Sequence, residues 1–147
     1  MTTDHDISVL NSLTKTTLDS RKGFKDAADG ADNTQYSILF EQFAQERGEV
    51  AGRLQAEVRR LGGNPEDDSS FFAAAHRTFM NLKEVFTGAD DKAIIEEVER
   101  GEDYIKAKFE TALNDPDLSP SVMAVVLEGY SSVRAGHDRA SQLKHSV

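Results

Sequence analysis

Apolar residues recur at every third or fourth position along almost the whole chain, and this rhythm restricts the fold more than any other feature. Leu10, Leu13, Thr17, Ser20, Phe24 and Ala27 form one stripe; Ile95, Val98, Glu102, Ile105, Phe109 and Ala112 form another. Alternation with a period of two fails nearly everywhere, so the chain is predicted to be all-α. Punctuation divides it into helices over about residues 6–29, 34–61, 69–87, 91–113 and 120–143. Gly30 stops the first, and Asp32 or Asn33 caps the second. In "GGNP", Gly62 suits a left-handed cap and Pro65 bars continuation. Asp68 or a following serine caps the third, whose stripe is Phe72, Ala75, Phe79, Leu82 and Phe86. Asp90 or Asp91 opens the fourth; Ser119 caps the fifth, with Pro120 in its first position.

The links after the first and fourth helices are short, so each pair forms an antiparallel hairpin. Residues 62–89 join the hairpins and are numerous enough to travel the length of a bundle, carrying the short third helix with them. One long crossover between two hairpins is the ferritin-like arrangement of a four-helix bundle, whereas simple up-down bundles use short loops alone. At 147 residues, a single domain over 1–147 is expected.

Composition narrows the function. The chain has no cysteine, which excludes disulfides and thiolate metal sites. Lys and Arg number 17 against 26 Asp and Glu, a net charge of −9 that disfavours nucleic acid and anionic lipid. No apolar run is long enough for a membrane span, and "MTTDHDISVL" lacks a basic-then-apolar leader, so a cytoplasmic protein is expected. There is no phosphate-binding glycine loop and no nucleophile elbow.

Ionisable residues on the apolar stripes are the candidate site. Glu102 lies in the middle of one stripe, and Val126, Tyr130, Val133, His137 and Ala140 place His137 on another. In the second helix two registers compete. Leu39, Phe43, Glu46 and Val50 turn Glu46 inward, whereas Phe40, Phe43, Arg47, Val50 and Leu54 leave Glu46 at the edge. Buried charges need a partner, either a cation or one another.

A carboxylate-bridged metal pair takes a Glu from each of two helices and Glu-x-x-His from each of the other two. Here Glu102 fits; Glu46-x-x-Glu49 has a carboxylate where histidine is usual; Arg134-x-x-His137 has an arginine where glutamate is required. The first helix offers Ser20, with Arg21 and Lys22 after it and Asp19 off its main stripe. Two readings follow. One is a reduced site in which Glu46, Glu49, Glu102 and His137 hold one iron, manganese or zinc ion. The other is a metal-free ion network in which Arg21, Arg47 or Arg134 neutralises Glu46 and Glu102, with His137 hydrogen-bonded among them. Neither contains a complete catalytic constellation. His5 and His145 are expected to be solvated, His76 to pack on a helix surface, and Tyr130 to donate into the His137 network. Val9, Leu18, Ile38, Ile94, Val125 and Leu127 lie off the main stripes and are candidates for a second apolar face that would build a homodimer or bind an adaptor partner.

"GFKDAADGA", "FAQERGEVAGRLQAEVRRLGGNP", "AAAHRTFMNLKEVFTG", "AIIEEVERGEDYIKAKFETAL" and "VRAGHDRASQL" together resemble a bacterial family of ferritin-like four-helix-bundle proteins, domain of unknown function 2383. The likeness implies a ferritin-like fold of two hairpins, and a metal role only at the matching Glu46, Glu102 and His137. The wider ferritin-like group stores iron, oxidises or reduces peroxide, so the resemblance also implies a connection with oxidative or envelope stress. Members of the family often carry glutamates just before the "GF" of the first helix, where this chain has Arg21 and Lys22.

Overall fold

The computed structural model describes residues 2–67 and 90–146, with side chains to residue 143. The helix expected at 69–87, with His76, lies outside the described residues, as does the side chain of His145. Four helices are described: α1 (Thr3–Gly30), α2 (Thr34–Arg60), α3 (Asp91–Leu113) and α4 (Pro120–Ser146). The stripes and stop signals produce them directly. Asn33 and Asp90 accept from the Gln35 and Ala93 amides, capping α2 and α3. Gly62, at φ 85, turns the chain out of α2 in the left-handed region, and Pro120 opens α4.

Two boundaries differ from expectation. α1 starts at Thr3 rather than near Asp6, because the Thr2 hydroxyl accepts from the His5 amide and Asp4 and Asp6 favour the positive end of the helix dipole. α4 reaches Ser146 rather than stopping near Leu143. Ser119 stands at the N-cap of α4 as expected, its carbonyl accepting from the Met123 amide, while its hydroxyl donates to Asp6 Oδ2 on α1.

Tethers at the two ends give the topology. At the upper end the Asp91 carboxylate accepts from the amides of Asp32 and Asn33, joining the start of α3 to the α1–α2 link. At the lower end Asp6 holds Ser119 through its amide and hydroxyl, and Arg60 reaches Ser121. α2 thus ends at the bottom and α3 begins at the top, so the two described ends of the connection between them lie at opposite ends of the bundle. Its described beginning runs up α1, where Asn11 bonds both the Asn64 carbonyl and the Glu66 amide. The order is up, down, down, up. α1 packs on α2 and α3, α4 packs on α3 and α2, and diagonal partners run parallel.

The core has two parts. The upper gathers Phe24, Phe40, Phe43, Ile94, Ile95 and Val98 among smaller residues, with the Phe24 and Phe43 rings 5.0 Å apart. The lower gathers Leu10, Leu54, Val58, Ile105, Phe109 and Val126 with others. Buried Thr14 and Thr17 turn their hydroxyls back to the Leu10 and Leu13 carbonyls and so enter the core satisfied.

Candidate functional site

A polar layer separates the two halves of the core. Glu102, on the α3 stripe, is 0% exposed, and Arg47, on the α2 stripe, is 1% exposed. The two meet as a fork: Arg47 Nη1 donates to Glu102 Oε1 and Nη2 to Oε2, each at 2.6 Å. Parallel short contacts of this kind are the strongest arrangement available to a guanidinium and a carboxylate. Arg47 Nη1 also donates to Ser20 Oγ of α1 at 3.0 Å, and the guanidinium carbon lies 5.3 Å from the centre of the Phe24 ring. α4 contributes empty space. A methyl group at Gly136 would stand 2.5 Å from Arg47 Nη2 and 3.3 Å from Glu102 Oε2, so the missing side chain makes room for the pair.

The other expected members do not join this layer. Glu46 does not face inward: its side chain is 39% exposed and lies 3.5 Å from Arg139, which also covers the Phe43 ring. Glu49 is exposed, because the register through Phe40, Phe43, Arg47, Val50 and Leu54 wins and buries all five. Arg21 lies in the outer groove of the α1–α2 hairpin beside Gly48, and Arg134 is exposed on α4. His137 sits on the α3–α4 seam, with Nε2 2.6 Å from Asp103 Oδ1 and Nδ1 3.5 Å from Asp138. Tyr130 donates to Glu110 at 2.8 Å rather than toward His137, and this bond, with burial, raises the phenol pKa. Asp19, off the main stripe of α1, is nonetheless buried and adds to the field that raises the pKa of Arg100, after the hydrogen bonds that Arg100 donates to Glu97. Glu46, Glu49, Glu102 and His137 are therefore not brought together around one point.

This layer does not fit a metal ion. Both oxygens of its one fully buried carboxylate are engaged by a fixed cation, which would repel a divalent ion at the same place. Three cues for the true partner were in the sequence: a competing register on α2, Ser20 on α1, and a glycine facing the layer on α4.

A second cluster, which the stripes could not reveal, lies at the lower end. His5 Nε2 is 2.8 Å from Asp115 Oδ2, and the Asp117 amide donates to Asp115 Oδ1. The Asp117 backbone bond, followed by the His5 contact, holds the Asp115 carboxyl below the ordinary aspartate range. One ligand atom each from His5, Asp115 and Asp117 falls within 4.8 Å of the other two. His5, expected to be solvated, thus has a partner across the bundle end. The signal was topological: an up-down-down-up order brings the start of α1 against the α3–α4 turn.

These features define a ferritin-like helical bundle with a charged pair at its centre. The chain belongs to the family described as Domain of unknown function (DUF2383), whose model matches residues 5–115. It is similar to a solved two-domain protein from Anabaena variabilis ATCC 29413 that contains DJ-1/ThiJ/PfpI-like and ferritin-like domains, with a TM-score of 0.83 and 17% identity. That match covers 99% of this chain and 40% of the Anabaena chain, so the likeness is one of fold and accounts for less than half of that protein. Comparison with curated proteins gives no match. Among the described residues, no helix is long and apolar enough to cross a membrane.

Proposed function

We propose that this chain is a ferritin-like bundle whose interior works without metal, and that it acts through its outer surface as a helical interaction module. The observation that carries the reading is the closed Arg47–Glu102 fork, which uses the inward-facing carboxylate that a metal centre would need. An oxidase or iron store requires ligands open to an incoming ion, and here the fold's own cation fills that role.

A partner of different kind is favoured over a homodimer. Of the six residues considered for a second apolar face, Leu18 and Ile94 are core, and Val9 and Val125 pack partly against it. Ile38 and Leu127, 55% and 53% exposed, sit near opposite ends of the bundle. The Anabaena protein, in which a ferritin-like domain shares a polypeptide with a DJ-1/ThiJ/PfpI-like domain, is a precedent for such a bundle working beside a second domain.

The test is metal analysis of tag-free protein from cells supplied with iron, manganese and zinc, beside Glu102→Gln. The reading expects equal metal content in the two proteins; metal that disappears with Glu102→Gln would overturn it. Light scattering over a concentration series should give the monomer mass throughout, and a dimer would sink the preference for a hetero-partner.

A further inference from the structure

We propose that the lower end of the bundle carries a divalent-cation site built from His5, Asp115 and Asp117. The inference goes beyond the interior reading and does not depend on it. One ligand comes from the first turn of α1 and two from the α3–α4 turn, segments 110 residues apart in the chain. Their ligand atoms already lie within 4.8 Å of one another. A tetrahedral ion with bonds of about 2.0–2.1 Å needs its ligands about 3.3 Å apart, a closure that side-chain rotation supplies. The side chains of His5 and Asp115 are 39% and 21% exposed, so both have room to turn and water has access to complete the coordination.

The backbone beneath the cluster is fixed independently of it. Asp6, next to His5, is 2% exposed, and its two oxygens hold the amide and hydroxyl of Ser119, two residues beyond Asp117. Arg60 of α2 bonds Ser121 at the same end. Pro116 restricts the backbone between the two aspartates. The turn and the helix start are thus held in place before any ion arrives, which lowers the ordering cost of binding. A hydrogen bond joins His5 Nε2 and Asp115; a cation would take the place of its proton, drawing one neutral imidazole nitrogen and two carboxylates. That mixed nitrogen and oxygen set, without thiolate, suits zinc or manganese better than copper(I), while the imidazole argues against calcium.

Titration calorimetry of tag-free full-length protein with zinc chloride, repeated with manganese chloride, tests the site. One saturable equivalent of zinc is expected, with His5→Ala and Asp117→Asn each weakening binding by at least about tenfold. His137→Ala, which alters the other histidine–aspartate pair across helices among the described residues, should bind as wild type does. Circular dichroism checks that each variant is folded; should His5→Ala fail, Asp117→Asn decides alone, since it changes an exposed turn residue. Absence of saturable zinc binding, wild-type affinity in a folded Asp117→Asn, or loss of binding in His137→Ala would each overturn the proposal. Metal held at the centre would instead respond to Glu102→Gln and ignore Asp117→Asn, so failure here is distinct from failure of the interior reading.

Discussion

The middle of the bundle and its lower end face the same problem, acidic residues brought close to other helices, and solve it in opposite ways. Glu102 is wholly out of water, and the fold gives it a fixed counter-charge that uses both its oxygens. Asp115 and Asp117 stay in contact with water, beside a histidine that supplies a nitrogen but no obligatory charge. Burial, more than residue type, separates the two. A desolvated carboxylate must be closed off by its own protein, whereas one at the rim stays open to exchange with the medium.

The most severe way to break this contrast is to remove one member of the central pair. Glu102→Gln leaves Arg47 charged in a dry interior and should cost about 3–5 kcal/mol in urea unfolding. The double change Arg47→Met with Glu102→Leu should recover most of that loss, because an apolar pair of similar volume removes the desolvation cost on both sides. A double variant as weak as the single one would mean that the fork adds stability beyond mutual neutralisation.

Gly136→Ala comes next. Its new methyl would press on Arg47 Nη2 at 2.5 Å, and because Glu102 fixes that atom the strain should amount to about 1–3 kcal/mol.

Changes at the rim should be smaller and depend on pH. The carboxyl of Asp115 has a lower pKa in the folded chain than in the unfolded one, so its contribution is complete above about pH 3.9 and fades as acid carries the pH down through the folded value. Thermal melts from about pH 6 to about pH 3 should show Asp115→Asn lacking this part of the acid limb. The smallest effect is expected from Tyr130→Phe. It deletes the bond to Glu110 on a wet seam and should stay within about 0.5 kcal/mol of wild type.

The fold was legible because helix period, caps and breakers all pointed the same way, down to Gly62 and Pro120. The centre was legible by half. Glu102 continued an apolar stripe, with Val98 four residues before it and Ile105 three after it. On α2, Glu46 and Arg47 each fitted a stripe, and adjacent residues on a helix differ by about 100° in direction. Packing settled it: Phe40, Phe43, Val50 and Leu54, the apolar members of the Arg47 register, are all buried in the core. His137 followed its stripe only to the edge, where Asp103 holds it on the seam. The lower cluster had no periodic signature, because its members belong to a helix start and a turn that only tertiary structure brings together.

The polar layer also acts as an index mark. Above and below it, a slide of one helix by a single turn, about 5.4 Å, would exchange one apolar side chain for another at modest loss. The same slide would strand a guanidinium and a carboxylate in separate oily surroundings. Arg47 and Glu102 therefore penalise every misaligned bundle far more than they favour the aligned one, and choose a single vertical setting for four otherwise forgiving rods.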